Sequence, residues 1–239
     1  MTELWKKSIP HEIQHEINTI NKFTDKTGRE ASITACLKPG RDRLFVSNSA
    51  EGTTSGTEAL GCDSRYGESQ RVADVHTHPV DSDTIGILPS QADFYSTLVD
   101  SKVYKQRQIS CVTSPNTPLT ECYIPKEIPD NHKLYQYEKA LDNAIAGSPG
   151  YYMDNVPRDF DIGFFNPKNG ARINKPHAKD VVKAAMGEST KDLRKQVTDL
   201  ERAGFCEYVA SFTTPTRNDV VEECKGQLRK RNLLGIIDY

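Results

Sequence analysis

The segment that most constrains this chain runs from Arg71 to Ser101. Arg71 to His78 has the composition of a strand, Pro79 to Pro89 reads as a loop, and Ser90 to about Ser101 reads as a helix with Ala92, Tyr95 and Val99 on one face. Residues two apart on a strand share a face, so His76 and His78 can present their imidazoles to one point. Asp93 follows His78 by 93 − 78 = 15 residues and falls in the first turn of the helix. A loop that folds back would bring its carboxylate beside the two rings. Two nitrogens and one carboxylate oxygen leave a tetrahedral zinc with one open position, as catalytic zinc sites have. Water bound at such a position ionises with a pKa of about 7 and supplies hydroxide at neutral pH.

Each of these residues also has a purely structural reading. Ser90-x-x-Asp93 ahead of a helical pattern is a capping box, in which both side chains satisfy free backbone N–H groups. A second zinc pattern, His11-Glu12-Ile13-Gln14-His15, is a literal His-Glu-x-x-His. At about 100° per residue, its histidines stand roughly 160° and 200° from Ile13. The apolar stripe is Ile13, Ile17, Ile20 and Phe23, so both rings point to solvent and the pattern is set aside. His132 and His177 carry no spacing pattern and read as surface residues. Lys225, Arg229, Lys230 and Arg231 read as a solvated helix face.

The remaining chain divides at the Pro-rich stretch Ile124 to Pro129. Before it, a helix over residues 11–24 ends at Gly28. Strands then follow from Glu30 to Leu37 and from Arg43 to Ser47, and later near 109–112 and 119–124. Residues 49–70, rich in Gly, Ser and Thr, read as a mobile loop. Beyond Pro129 the patterns are mainly helical, around 133–146, 177–203 and 217–232, interrupted by a Gly-, Pro- and Asn-rich segment at 147–170. The expectation is an α/β fold, a mixed β-sheet flanked by helices, over residues 1–128. A mainly helical C-terminal region spans 129–239. Its aromatic residues Tyr135, Tyr137, Tyr151, Tyr152, Phe160, Phe164 and Phe165 suit either a protein-docking surface or a cover for the core.

Charge excludes several function classes. Residues 1–128 hold 14 basic and 17 acidic residues and the remainder 17 and 16, so neither part has the field of a nucleic-acid binder. No apolar run approaches the roughly 20 residues of a membrane span. The N-terminal Met-Thr-Glu-Leu-Trp-Lys-Lys lacks the apolar core of a secretory signal, and a cytoplasmic location is expected. Cys36, Cys62, Cys111, Cys122, Cys206 and Cys224 form no Cys-x-x-Cys pair and read as reduced and mostly buried.

His76-Thr77-His78-Pro79 followed by Ser90-Gln91-Ala92-Asp93 resembles the JAMM motif of the JAB/MPN+ metalloproteases. The resemblance covers roughly residues 10–125. It implies a JAB/MPN-like fold in which His76, His78 and Asp93 bind Zn2+ and Ser90 helps hold a developing oxyanion. It also implies an upstream glutamate that handles the protons of the water. Glu30 matches, since it follows the first helix, opens the first strand and precedes His76 by 76 − 30 = 46 residues. Glu51, Glu58 and Glu68 are rivals on a loop whose composition predicts mobility, whereas a general base needs rigid placement. Asp74 shares a strand face with both histidines and is either a partner that orients an imidazole or a solvated acid. The ten residues between Pro79 and Ser90 make a longer loop than the family's, which points to altered substrate access. The implied function is a zinc metallo-(iso)peptidase acting on a protein substrate such as a ubiquitin-like conjugate, with no membrane or nucleic-acid partner. The alternatives are a non-catalytic MPN-like interaction module and a DNA-repair-associated member of the same family.

Overall fold

The computed structural model describes residues 7–38, 40, 44–53, 56–58, 60–63, 65, 67, 69–79, 89–115, 117–145, 156, 158–174, 176–177, 180–181, 206 and 217–237. The elements run α1 (His11–Thr27), β1 (Ala31–Leu37), β2 (Leu44–Glu51), β3 (Gln70–Thr77), α2 (Gln91–Val103), β4 (Ile109–Thr113), β5 (Thr120–Pro125), α3 (Asn131–Ile145), β6 (Phe160–Phe165), β7 (Arg172–Ile173) and α4 (Arg217–Ile237). Most of the expected helix at 177–203, the loop residues 80–88, Glu68, Tyr151 and Tyr152 lie outside the described residues.

The seven strands form one mixed sheet in the order β2-β1-β3-β4-β5-β6-β7. All neighbours are antiparallel except β3 and β4, which run parallel and are joined through α2. A parallel pair needs a crossover, and this one lays α2 across one face of the sheet. The opposite face is covered by α1, whose buried Ile13, Ile17 and Ile20 pack with Ile33, Ala35, Ala73 and Val75. The α1 helix stops where Gly28 takes φ 65°, a left-handed conformation that returns its N–H to Thr24 O at 2.8 Å. On the α2 face, Phe94 and Leu98 join Tyr123, Tyr137, Phe160, Phe164, Cys224 and Leu228 in a second core. The Phe94 ring lies 4.6 Å from Tyr123 and 4.8 Å edge-on to Phe160, within the favoured range for aromatic pairs.

Two expectations change. The region after Pro129 supplies α3 and α4, but it also extends the sheet with β6 and β7. The sequence Phe-Asp-Ile-Gly-Phe-Phe of β6 was masked by the Gly, Pro and Asn residues around it, and pairing with β5 decides its state. The line drawn at 128/129 therefore runs between hydrogen-bonded strands. Of the aromatic cluster, Tyr137, Phe160, Phe164 and Phe165 are buried, while Tyr135 is exposed.

The cysteines are the second correction. All six are paired, as Cys36–Cys62, Cys111–Cys122 and Cys206–Cys224. Sequence spacing hid this because folding brings the partners together. Cys111 and Cys122 stand directly opposite on antiparallel β4 and β5, and Cys36 of β1 meets the β2–β3 connection. Among the described residues no helix is long and apolar enough to cross a membrane.

Two measurements follow from this architecture. Removing residues 129–239 strips β6 from the edge of β5 and takes Phe160, Phe164 and Leu228 out of the core around Phe94. The 1–128 fragment should therefore be insoluble or unfold without cooperativity, whereas a soluble fragment with a sharp thermal transition would establish an independent domain. Thiol titration of the native chain, unfolded without reductant, should find no free cysteine. Six free thiols would fit the cytoplasmic setting instead, since disulfides persist in oxidising compartments.

Candidate metal centre

The crossover geometry explains the site. Because α2 follows β3 and leads into parallel β4, its N-terminus lies over the carboxyl end of β3, where His76 and His78 stand. Three ligand atoms, one each from His76, His78 and Asp93, fall within 4.8 Å of one another. His76 Nε2 is 3.3 Å from Asp93 Oδ1, and His78 Nε2 is 3.7 Å from Asp93 Oδ2. His76 and His78 are buried. At Asp93 the helix cap and the approach to the histidines are geometrically compatible. Its Oδ2 accepts from Ser90 N at 2.5 Å while Ser90 Oγ accepts from Asp93 N at 3.2 Å, which is a capping box. That same bond aims the carboxylate at the histidines.

Neighbouring groups hold the donors in place. Asp74 Oδ2 lies 3.8 Å from His76 Nδ1, and its Oδ1 accepts from Arg71 Nη2 at 3.0 Å and Ser110 Oγ at 2.7 Å. Arg71 also reaches Asp100 of α2 at 2.8 Å and stacks 5.5 Å from the Tyr104 ring centroid. The backbone of His78 donates to Thr113 O at 2.9 Å and accepts from Ser114 Oγ at 2.8 Å.

Glu30 is 4 % exposed and lines the same pocket as the three donors. Burial lifts its carboxyl to about 7, against the lowering influence of His76 and with a smaller upward push from Asp93. Among its rivals, Glu51 and Glu58 are exposed and Glu68 lies outside the described residues. Burial by itself would lower the pKa of His76, but Asp93 and then Asp74 outweigh it and push the imidazole up to about 10. Asp93 is held far below the usual carboxylate range: burial opposes this, and His76, His78 and the Ser90 N–H overcome it. Asp93 thus draws positive charge to its side of the pocket, which a proton on His76 or a bound cation would supply.

The donor set fits a divalent metal. His76 Nε2 is buried and faces Asp93 Oδ1 without making a hydrogen bond, and two imidazoles with a carboxylate are a common zinc set. The rival helical pattern does not fit, because His11 and His15 are exposed on α1 as its periodicity requires.

One wall of the pocket escaped the sequence reading. Residues 49–70 were expected to be mobile, yet Glu58 O accepts from Ser32 Oγ at 2.7 Å and Leu60 O accepts from Thr34 Oγ1 at 2.8 Å. These bonds and Cys36–Cys62 hold Glu58, Leu60 and Cys62 against β1, and Gly56 and Thr57 line the pocket. The only signal was small-residue composition, which fits a tied loop as well as a free one.

Purified protein should carry about one zinc per chain by elemental analysis, and His76→Ala or His78→Ala should lose most of it. The double substitution His11→Ala, His15→Ala should leave it in place. Loss of zinc in the double variant, with retention in His78→Ala, would move the site to α1.

No protein-family model matches this sequence, and no curated protein matches it, so the chemistry of the site has to be argued from its own residues.

Proposed function

We propose that this protein is a zinc-dependent metallo-(iso)peptidase of the JAB/MPN+ kind. His76, His78 and Asp93 would be the ligands, Glu30 the general base and Ser90 a stabiliser of the oxyanion. The observation that carries the reading is the convergence of three metal donors with a buried carboxyl of pKa about 7 in one pocket. Carboxyls perturbed by burial beside metal donors cluster at active sites, which favours an enzyme over a scaffold.

When bound, zinc would supply the Lewis acidity that acidifies a water and polarises the scissile carbonyl. The chain's residues do the rest. Glu30, balanced near neutrality, takes a proton from the attacking water and returns it to the leaving amine. The Ser90 hydroxyl spends a lone pair on Asp93 N, which leaves its O–H to donate to the tetrahedral oxyanion. The positive end of the α2 dipole lies at the same place. The cavity, about 250 Å³, admits an extended peptide or a lysine side chain but not a folded domain. A flexible tail joined to lysine, as in a ubiquitin-like conjugate, is the substrate we propose for a cavity of that size. The small polar wall of Ser32, Thr57 and Ser96 suits a backbone with small side chains.

Glu30→Gln keeps the size and loses the proton acceptor. It should retain zinc yet lower turnover of a fluorogenic lysine-isopeptide probe by about two to four orders of magnitude. Glu51→Gln and Glu58→Gln should leave turnover unchanged, since both residues are exposed. Full activity in Glu30→Gln would assign the base to another carboxylate.

A further inference from the structure

Thr77 sits between the two histidines but belongs to the other face of β3, and it is fully buried. Its hydroxyl accepts from Ala31 N at 2.8 Å, lies 3.3 Å from Ala31 O and is 2.5 Å from Thr24 Oγ1 of α1. One O–H and two lone pairs are thereby all engaged. The contact falls where the ladder between β1 and β3 stops, since their pairing ends at Ser32 and His76. A side chain takes over the role of a backbone carbonyl at that point.

The residue immediately before Ala31 is Glu30. Its own N–H donates to Thr53 O at 2.7 Å and its carbonyl accepts from Gly52 N at 2.8 Å. The Glu30–Ala31 backbone is therefore clamped from two sides, by the end of β2 and by Thr77. Strand ends fray when their N–H groups lack partners, and a frayed residue cannot hold a carboxylate against a fixed point. Gly52 completes the clamp. A Cβ there would meet Gly56 O at 2.2 Å, so the turn that presents Gly52 N to Glu30 admits only glycine.

We propose that the Thr77 hydroxyl is a positioning residue for Glu30: it ties the strand that carries the base to the strand that carries the metal ligands. The proposal rests on the reading of Glu30 as the base, but the contact itself can be tested separately. Valine matches threonine in shape and puts a methyl group in place of the hydroxyl, and serine keeps the hydroxyl. Thr24→Val serves as a control, because it perturbs the same buried cluster and leaves the bond to Ala31 intact.

The experiment is amide hydrogen exchange by NMR on the full chain, combined with the carboxyl carbon-13 shift of Glu30 before and after addition of zinc. In Thr77→Val the Ala31 amide should exchange at least about tenfold faster relative to Ile33, while Thr77→Ser and Thr24→Val stay within about threefold of the native chain. Zinc should move the Glu30 signal in the native chain and in Thr77→Ser. In Thr77→Val the change should fall below about half, although that variant still binds the metal. Native exchange at Ala31, or a native zinc response at Glu30, in Thr77→Val overturns the proposal, as does faster Ala31 exchange in Thr77→Ser. If Thr77→Val does not fold, Thr77→Ala carries the same two expectations. If the native chain binds no zinc at His76 and His78, the proposed function fails, and exchange at Ala31 still decides whether Thr77 holds the strand.

Discussion

A parallel pair of strands cannot be closed by a tight turn, and the geometry of the site follows from that constraint on β3 and β4. The connection has to cross the sheet, and the crossing element is α2. A crossover helix begins above the carboxyl end of the strand it leaves. Here that is the end where His76 and His78 stand, so the first turn of α2 faces both rings. Ser90 and Asp93 then meet two requirements at once. Their capping box satisfies the free N–H groups of the helix, and the same hydrogen bond from Ser90 N turns the Asp93 carboxylate toward the imidazoles.

A buried polar network keeps α2 in register with β3. Arg71 pairs with Asp74 on its own strand and with Asp100 on the helix, and Ser110 of β4 donates to Asp74. Thr97 Oγ1 lies 2.8 Å from both Ser110 Oγ and Asp93 O, which extends the network to the first turn of the helix. A guanidinium 3 % exposed is tolerated only when paired, and losing one partner would strand the other charge in the core. A placement of α2 that parted Arg71 from Asp100 would leave buried charge less well paired, which costs far more than parting an exposed pair. Apolar packing of Phe94 and Leu98 supplies adhesion without that directional preference.

The far half of the sheet rests on different forces. β6 adds its hydrogen bonds to β5, and alternation sends Phe160, Ile162 and Phe164 to the α2 face and Phe165 to the α1 face. Cys111–Cys122 crosslinks the adjacent β4–β5 pair, and Cys36–Cys62 holds one wall of the pocket to β1. Both crosslinks are anchored on strands that are already buried, and they act chiefly by restricting the unfolded chain.

Local pattern alone determined much of this molecule. Helical periodicity placed α1, with His11 and His15 on its outer side. Strand periodicity put His76 and His78 on one face, and Ser90-x-x-Asp93 marked the start of α2. Those features depend on neighbours within a few residues, so the sequence carries them directly. It could not show that Asp93 caps the helix and faces the histidines together, because both roles require the crossover. The burial that lifts Glu30 to about 7 and the disulfide partners separated by 11 to 26 residues were equally hidden. So was β6, whose state depends on the edge of β5. Each of these is set by contacts between segments distant in the chain, and a local pattern holds no information about which distant surface will cover it.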